Sequence, residues 1–498
     1  MGDDREPTPV PSPAPRLDPL ADHLSNLPRF TDLPLRDSEA LALAAGDLRW
    51  SYAELMRRAD DCAGSLRSAG VEADQVVIAR ADAGPRMVVM QHALARLGAA
   101  LLPASPALFE PGAGASALQA LIEVTGAEWT WQAHADGGAP RATGRRTALR
   151  RRGDPLAVLI RTSGSSGAPK VAMLSQRAVL ASSVLVTQRF GLCPGDQWLC
   201  CLPLQHIGGL AIPYRCALAG AALRLQSGNA TGFDADAVRL ELERNEVTHL
   251  SLVPPMLARL LDTGASPPSS LRVLLLGGQA LDGGLARRAA DAGWPLFVTY
   301  GMSETCSQIA TARCVGGTSP DALGAPLPGV VLDCPSCDGE PRPLRVRGPM
   351  VMEGYSNPER RPGLGLDAGW LVTSDLACLD ADGGLRILGR TDDVLIIGGV
   401  KVLPMAIESR LSHSLPGIGT LAVVGVPHPV WGQTLAACYT GVVEPGALEA
   451  WCRAHLPSSE RPRIFVQCRA FPLLASGKLD RAALRLQAVD AARKMTVD

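Results

Sequence analysis

Leu156-Ala-Val-Leu-Ile160, followed by Arg161-Thr-Ser-Gly-Ser-Ser-Gly-Ala-Pro-Lys170, is the passage from which the rest of the chain reads. The apolar run has the length and character of a buried strand. The next ten residues carry four hydroxyl side chains, two glycines and a terminal lysine. After them, Val171-Ala-Met-Leu-Ser-Gln-Arg-Ala178 and its continuation have the spacing of a helix. A Gly/Ser-rich loop is often a flexible linker. This one lies between a predicted strand and a predicted helix, and its proline restricts the backbone just before Lys170. A phosphate cradle is the sharper reading. Glycines let backbone N–H groups approach an anion closely, hydroxyls add donors, and lysine adds a point charge. The loop is not a Walker A sequence, because Ala-Pro separates Gly167 from Lys170 and Val171 comes next.

Outward from this loop the chain alternates between the two periodicities. Trp50 to Val71 has helical spacing at Leu55, Ala59, Cys62 and Leu66, with Ser51 as cap and Glu54 placed for a capping box. Gln75 to Ala81 reads as a strand, and Pro85 to Pro106 as a helix followed by a short strand. His249 to Leu261 and Leu271 to Gly293 repeat strand, loop and helix, and Pro295 to Thr305 is a strand running into a polar turn. This alternation predicts α/β layers. From about Leu344 short alternating strands with glycine turns take over, and a new unit opens near Gly389 to Asp393. The expected divisions are a Pro-rich tail at 1–27, a large domain at 28–390 and a small α+β domain at 391–498.

Composition narrows the function. The chain has 498 residues, a formal net charge of -1 and 47% hydrophobic residues. A near-neutral chain offers no general electrostatic attraction for nucleic acid. The local basic run from Arg141 to Arg152 has no aromatic interleaving and reads as a solvated loop. No apolar run reaches membrane-spanning length, and no secretory signal opens the chain. The thirteen cysteines form no framework, and Cys334-Pro-Ser-Cys337 lacks the partners of a zinc site, so surface thiols in a reduced cytoplasm are expected.

Further motifs come after the hydroxyl loop in order: Tyr300-Gly-Met-Ser-Glu-Thr-Cys306, Thr373-Ser-Asp-Leu-Ala377, Gly389-Arg-Thr-Asp-Asp393 running on to Glu408, and Ala475-Ser-Gly-Lys-Leu-Asp-Arg481. In this order and spacing they resemble the acyl-adenylate-forming superfamily. Within it, Trp198 to Ile212, Val247 to Leu261 and Val298 to Thr311 are most similar to the o-succinylbenzoate–CoA ligases. The resemblance implies a multidomain α/β (α+β) fold, with a β-rich subdomain and a mobile C-terminal domain. It implies ATP, Mg2+ and CoA, and a small-molecule carboxylic acid as substrate. The acid attacks the α-phosphate of ATP, pyrophosphate leaves, and a thiol then displaces AMP. A carrier protein in place of CoA, another acid, and a homodimer all remain compatible with it.

The resemblance also assigns residues. Thr162, Ser163, Gly164, Ser165, Ser166, Gly167 and Lys170 match the loop for the β- and γ-phosphates. Ser166 replaces the usual Thr, and Val171 stands where Gly is frequent. Gly277, Gly278 and Gln279 match the adenine-side loop; Tyr300 and Gly301 lie against the base, and Ser303 serves the α-phosphate. Glu304 matches the magnesium-linked glutamate. Asp375 and Arg390 match the ribose aspartate and its neighbouring arginine. Lys478 matches the adenylation lysine, and Asp392 falls at the hinge. Gly398, Gly399 and Lys401 match the loop that serves CoA, although Val400-Lys401 departs from the usual Glu. His206, Ser307 and Gln308 fall at the acyl pocket, with a core histidine as the alternative for His206. Arg215 suits either a second substrate carboxylate or a solvated helix surface.

Overall fold

The strand at Leu156–Thr162 forms as its apolar run predicts, with Leu156 to Ile160 buried. The segment beyond the hydroxyl loop differs from the expectation. Lys170–Ser175 is a second strand, antiparallel to the first with Thr162 opposite Lys170 and Leu156 opposite Ser175. The helix begins only at Gln176, where the Ser175 hydroxyl accepts a hydrogen bond from the Ala178 N–H at 3.3 Å. The physical reason is burial on both faces. Val171, Ala172, Met173 and Leu174 are all fully buried, and a short wholly apolar run has no period by which strand and helix can be told apart. The structure, a computed structural model, describes residues 38–81, 84–132, 138–145, 154–162, 170–226, 232–314, 322–415, 417–472 and 479–495.

This hairpin sits in a seven-stranded sheet, in the order Gly354–Tyr355, Lys170–Ser175, Leu156–Thr162, Ala100–Ala104, Val76–Arg80, Trp129–Trp131 and Pro140–Ala142. A second sheet has eight strands, in the order Ser307–Arg313, Leu296–Met302, Val273–Leu276, His249–Leu252, Gln197–Cys200, Ala222–Leu225, Leu41–Ala45 and Leu48–Ser51. Its interior pairs are parallel and both its edges antiparallel. Parallel pairing requires crossover helices, which supply the α/β layers expected from the sequence. The helix Tyr52–Ala69 shows the local logic: the Ser51 hydroxyl caps it by accepting from Glu54 N–H at 3.3 Å. The Glu54 carboxylate turns instead to Arg57 and Arg58.

A five-stranded antiparallel sheet is built around Trp370–Leu379, with Leu385–Arg390 paired to it so that Asp375 lies opposite Arg390. Cys337 is disulfide-bonded to Cys378 of the central strand, 41 residues away. This corrects the expectation of unpaired surface thiols, because the partner is brought in by sheet pairing and not by local spacing. A buried ion pair ties the segment after Gly354–Tyr355 to the seven-stranded sheet. Arg360 donates to both carboxylate oxygens of Glu128, at 2.6 and 3.1 Å, and Glu128 also accepts from Val76 N–H. Loss of one partner from such a pair typically costs about 3–5 kcal/mol, since the other charge is left buried alone.

Beyond residue 390 a three-stranded sheet of Ile418–His428, Gly432–Gly441 and Ile464–Gln467 carries a core on each face. Leu421, Val423, Leu435 and Ala437 pack toward Ile407, Leu411 and Leu448. The alternate residues Ala422, Val424, Ala436 and Cys438 pack toward Leu484 and Ala488. The period of two along each strand thus serves two helical layers. Among the described residues no helix is long and apolar enough to cross a membrane.

Candidate active site

Seven of the residues singled out in the sequence, Gly277, Gly278, Gln279, Tyr300, Gly301, Ser303 and Glu304, fall where Val273–Leu276 and Leu296–Met302 end, the end of an open α/β sheet where ligands collect. Gly277 and Gly278 come directly after the first of these strands. A Cβ on Gly277 would come 2.8 Å from Thr299 Cγ2, and Gly278 has φ +87, so both positions favour glycine. Gln279 is half-buried beside them. Leu296–Met302 ends in a single 3-10 turn, Ser303–Thr305. Tyr300, Ser303 and Glu304 therefore leave one short segment. Gly301 lies against the Ser307 carbonyl so closely that a Cβ would collide with it.

Two hydrogen-bonded chains run from this segment. In one, Tyr300 donates its hydroxyl to Asp375 Oδ2 at 2.5 Å. Arg390 donates to Asp375 Oδ1 at 2.9 Å and lies 3.5 Å from Asp392 Oδ2. The Asp375 N–H is held by Thr373 Oγ1 at 3.0 Å. Burial and then the neighbouring Asp375 carboxylate push Tyr300 well above the usual phenol range, so it stays a donor. In the other chain, Tyr355 donates its hydroxyl to Glu304 Oε1 at 2.8 Å, and Lys170 Nζ sits 5.3 Å above the Tyr355 ring. Burial, then Glu304, raises Tyr355 as well. Thr162 faces Lys170 across the hairpin, with its hydroxyl 3.4 Å from the Lys170 carbonyl. Ser163, Gly164, Ser165, Ser166, Gly167 and Lys478 lie outside the described residues.

No group of three or more His, Cys, Asp or Glu side chains able to hold a metal occurs among the described residues. Glu304 presents a carboxylate with one oxygen engaged by Tyr355. That donor set fits magnesium, a hard cation that binds through one or two carboxylates while nucleotide phosphates and water supply the rest.

Deeper in the same region lies Arg215, for which the sequence allowed two environments. The residue lies on the helix Ile207–Ala219 and is 1% exposed, so it is not a surface arginine. Its Nε and Nη2 have no hydrogen-bond partner among the described residues. Its guanidinium stands 5.6 Å over the ring of Trp198. Trp198 is held by its own Nε1 donation to Ser251 Oγ at 3.0 Å and by stacking on His249. Burial pushes Arg215 down to about 10, which still leaves it a cation at neutral pH. Gln308, also buried, has an Nε2 without a partner among the described residues. Buried donors without acceptors are rare and point to a missing ligand or water. Cys306 and Ser307, with φ of +51 and +102, form the turn that delivers Gln308 to its strand. His206 is exposed at the N-cap of the Arg215 helix, so the core reading of that histidine falls away.

Gly398, Gly399 and Lys401 are placed apart from these chains. Gly398 and Gly399 form the exposed turn between Leu395–Ile397 and Val400–Val402, where Gly398 N–H donates to the Trp431 carbonyl at 3.3 Å, and Lys401 is exposed on the second strand opposite Ile396. Sequence reasoning missed Tyr355 and Trp198. Tyr355 had one faint signal: only five tyrosines occur in the chain, and two of them donate to carboxylates of this site.

Residues 34–356 match the AMP-binding enzyme family, and residues 406–478 match the AMP-binding enzyme C-terminal domain. The chain is 30% identical over 467 residues to the 2-succinylbenzoate–CoA ligase of Bacillus pumilus, spanning 90% of this chain and 95% of that protein. It is 36% identical over 342 residues to the 2-succinylbenzoate–CoA ligase of Bacillus cereus, covering 66% of this chain and 69% of the relative. Among solved structures it resembles o-succinylbenzoate CoA synthetase of Bacillus subtilis in complex with its acyl-adenylate intermediate, with a TM-score of 0.74 and 26% identity over 92% of this chain and 98% of the other. ATP-bound MatB from Rhodopseudomonas palustris superposes with a TM-score of 0.78, at 26% identity over 93% and 98%.

Proposed function

The chain belongs to the AMP-binding enzyme family, and on that premise we propose that it is an ATP-dependent acid–thiol ligase for 2-succinylbenzoate or a close dicarboxylic aryl acid. Such an enzyme must solve one chemical problem. A carboxylate cannot expel oxide, so it is first joined to AMP with loss of pyrophosphate, and the thiol of CoA then expels AMP. The division of labour comes from the residues. Thr162, the hydroxyl loop and Lys170 hold the β- and γ-phosphates. Ser303 and Lys478 face the α-phosphate, where charge builds during in-line attack. Asp375 receives the ribose hydroxyls, with Tyr300 and Arg390 fixing its two oxygens in advance. Glu304 holds magnesium, which when bound offsets phosphate charge. His206 and Gln308 border the acyl group. Gly398, Gly399, Lys401 and the pivot at Asp392 serve the thioester step through rotation of the domain from about 391 onward. ATP and CoA as co-substrates support a cytoplasmic reaction.

One observation supports the acid above all others: the buried guanidinium of Arg215, whose Nε and Nη2 have no hydrogen-bond partner among the described residues. A monocarboxylic acid has nothing to offer it once its carboxylate is turned toward ATP. A second carboxylate gives it a charged acceptor and ends its isolation. The reading is tested by pyrophosphate release and thioester formation across a panel of acids, with and without CoA. 2-Succinylbenzoate should far exceed benzoate and medium-chain fatty acids, and thioester should appear only with CoA. A preference for fatty acids would overturn the acid and leave the adenylation chemistry standing.

A further inference from the structure

Tyr355 stands between two opposite charges. Its hydroxyl is 2.8 Å from Glu304 Oε1, and its ring face carries Lys170 Nζ at 5.3 Å. The side chain is held on several sides. Its strand, Gly354–Tyr355, pairs with Lys170–Ser175, with Tyr355 opposite Ala172. Tyr355 N–H donates to the Leu364 carbonyl at 2.7 Å, and Met352 N–H donates to the Glu304 carbonyl at 2.8 Å. Gly365, at φ +84, lies so close to the ring that a Cβ there would collide with it. The phenol is therefore aimed by backbone from both sides.

A lysine and a glutamate sharing one pocket attract each other. If they paired, nucleotide and metal would first have to break the pair. Among the described residues no ion pair joins Lys170 to Glu304; each meets Tyr355 instead. The hydroxyl is a neutral donor and takes one carboxylate oxygen. The ring face holds the ammonium without neutralising it.

We propose that Tyr355 is a positioning residue that keeps the magnesium-linked carboxylate and the phosphate-binding lysine apart, each aimed at the nucleotide. This rests on the metal role of Glu304 and the phosphate role of Lys170. It assigns separate duties to two parts of one side chain: the hydroxyl serves metal binding through Glu304, and the ring serves phosphate binding through Lys170.

The test uses full-length protein and the non-hydrolysable analogue α,β-methylene-ATP. Mn2+ binding in its presence is followed by electron paramagnetic resonance, and binding of the analogue in EDTA is followed by calorimetry. Tyr355→Phe removes the hydroxyl and keeps the ring. It should weaken Mn2+ binding about tenfold or more, as expected for loss of a hydrogen bond to a charged group, while binding in EDTA stays within about twofold of wild type. Tyr355→Leu should weaken both. A merely structural tyrosine would lower the melting temperature and both affinities together in Tyr355→Phe, and that result overturns the proposal. Glu304→Gln is the control for the underlying reading. If it leaves Mn2+ binding unchanged, the metal role of Glu304 is wrong. If it weakens Mn2+ binding and Tyr355→Phe does not, the metal role stands and the role of Tyr355 falls. If Tyr355→Leu does not fold, the Tyr355→Phe result decides alone.

Discussion

Arg215→Met separates what this residue costs the free protein from what it contributes to substrate. In the free protein the guanidinium is 1% exposed with Nε and Nη2 unpartnered. Burial pushes it well down from the ordinary arginine range, to about 10, which corresponds to about 3 kcal/mol against the charged form. The π face of Trp198, 5.6 Å away, returns only about 1–2 kcal/mol. Methionine fills similar space with no charge to desolvate. The variant should therefore be more stable than wild type by about 1–2 kcal/mol. Unfolding entropy scales with chain length, so each kcal/mol is worth roughly 1 °C here. A small rise in melting temperature without ligand is the expected result. Substrate binding should move the other way. Hydrogen bonds to charged groups are worth about 1.5–3 kcal/mol each, and two guanidinium nitrogens are without a partner among the described residues. Their loss should reduce kcat/KM for 2-succinylbenzoate by roughly 100-fold to 10,000-fold. Benzoate, with no second carboxylate, should lose less than about threefold. Calorimetric melting and continuous pyrophosphate release measure both arms. A lower melting temperature with equal loss for both acids would falsify the reasoning, because Arg215 would then be a structural cation.

The nucleotide arm is tested at Asp375, whose oxygens are held by Tyr300 and Arg390. Asp375→Ala should raise the KM for ATP by about tenfold or more while the KM for the acid stays within about twofold, the loss of a charge-assisted hydrogen bond being about 1.5–3 kcal/mol; an unchanged KM for ATP removes Asp375 from the site. Half-reactions separate the two chemical steps. Lys478→Ala should abolish acyl-AMP formation yet convert supplied acyl-AMP and CoA at near wild-type rate, and Asp392→Pro should do the reverse because proline fixes φ at the pivot. Equal damage to both steps in a folded Lys478→Ala protein refutes that division. His249 sets a limit on acid stability. Burial holds it neutral down to about 4 in the folded state, against 6.5 when free. Between those values the unfolded chain binds the extra proton, so stability is complete above 6.5 and falls as pH drops toward 4. The loss should reach about 2 kcal/mol by pH 5. His249→Phe should flatten that decline in denaturation experiments, and an unchanged slope would show that other groups govern it.

Much of this protein was legible in its order of residues because the informative features are local. Apolar runs and their periods placed the strands at His249–Leu252, Val273–Leu276 and Leu296–Met302 and the helices after the first two. Ser51 announced the helix that it caps. Glycines at 277 and 278 declared a tight loop that φ +87 and the approach to Thr299 bear out. The grouping of hydroxyls, glycines and lysine after Leu156–Ile160 pointed to phosphate binding from residue chemistry alone, and residues 163–169 of that loop lie outside the described residues. Properties that depend on which distant segments meet were not legible. Lys170–Ser175 became a strand and not the start of a helix because neighbours on both sides offered it backbone partners. Tyr355 meets Glu304 across 51 residues, and Cys337 meets Cys378 across 41. Arg215 is the sharpest case, since helical spacing allowed it either face. The packing of its helix against the strand of Trp198 withdrew it from water and left its Nε and Nη2 without partners among the described residues. Periodicity and turn chemistry act over a few residues and survive in a one-dimensional string. Burial and pairing are set by contacts between segments tens of residues apart, and they exist only once the chain has packed.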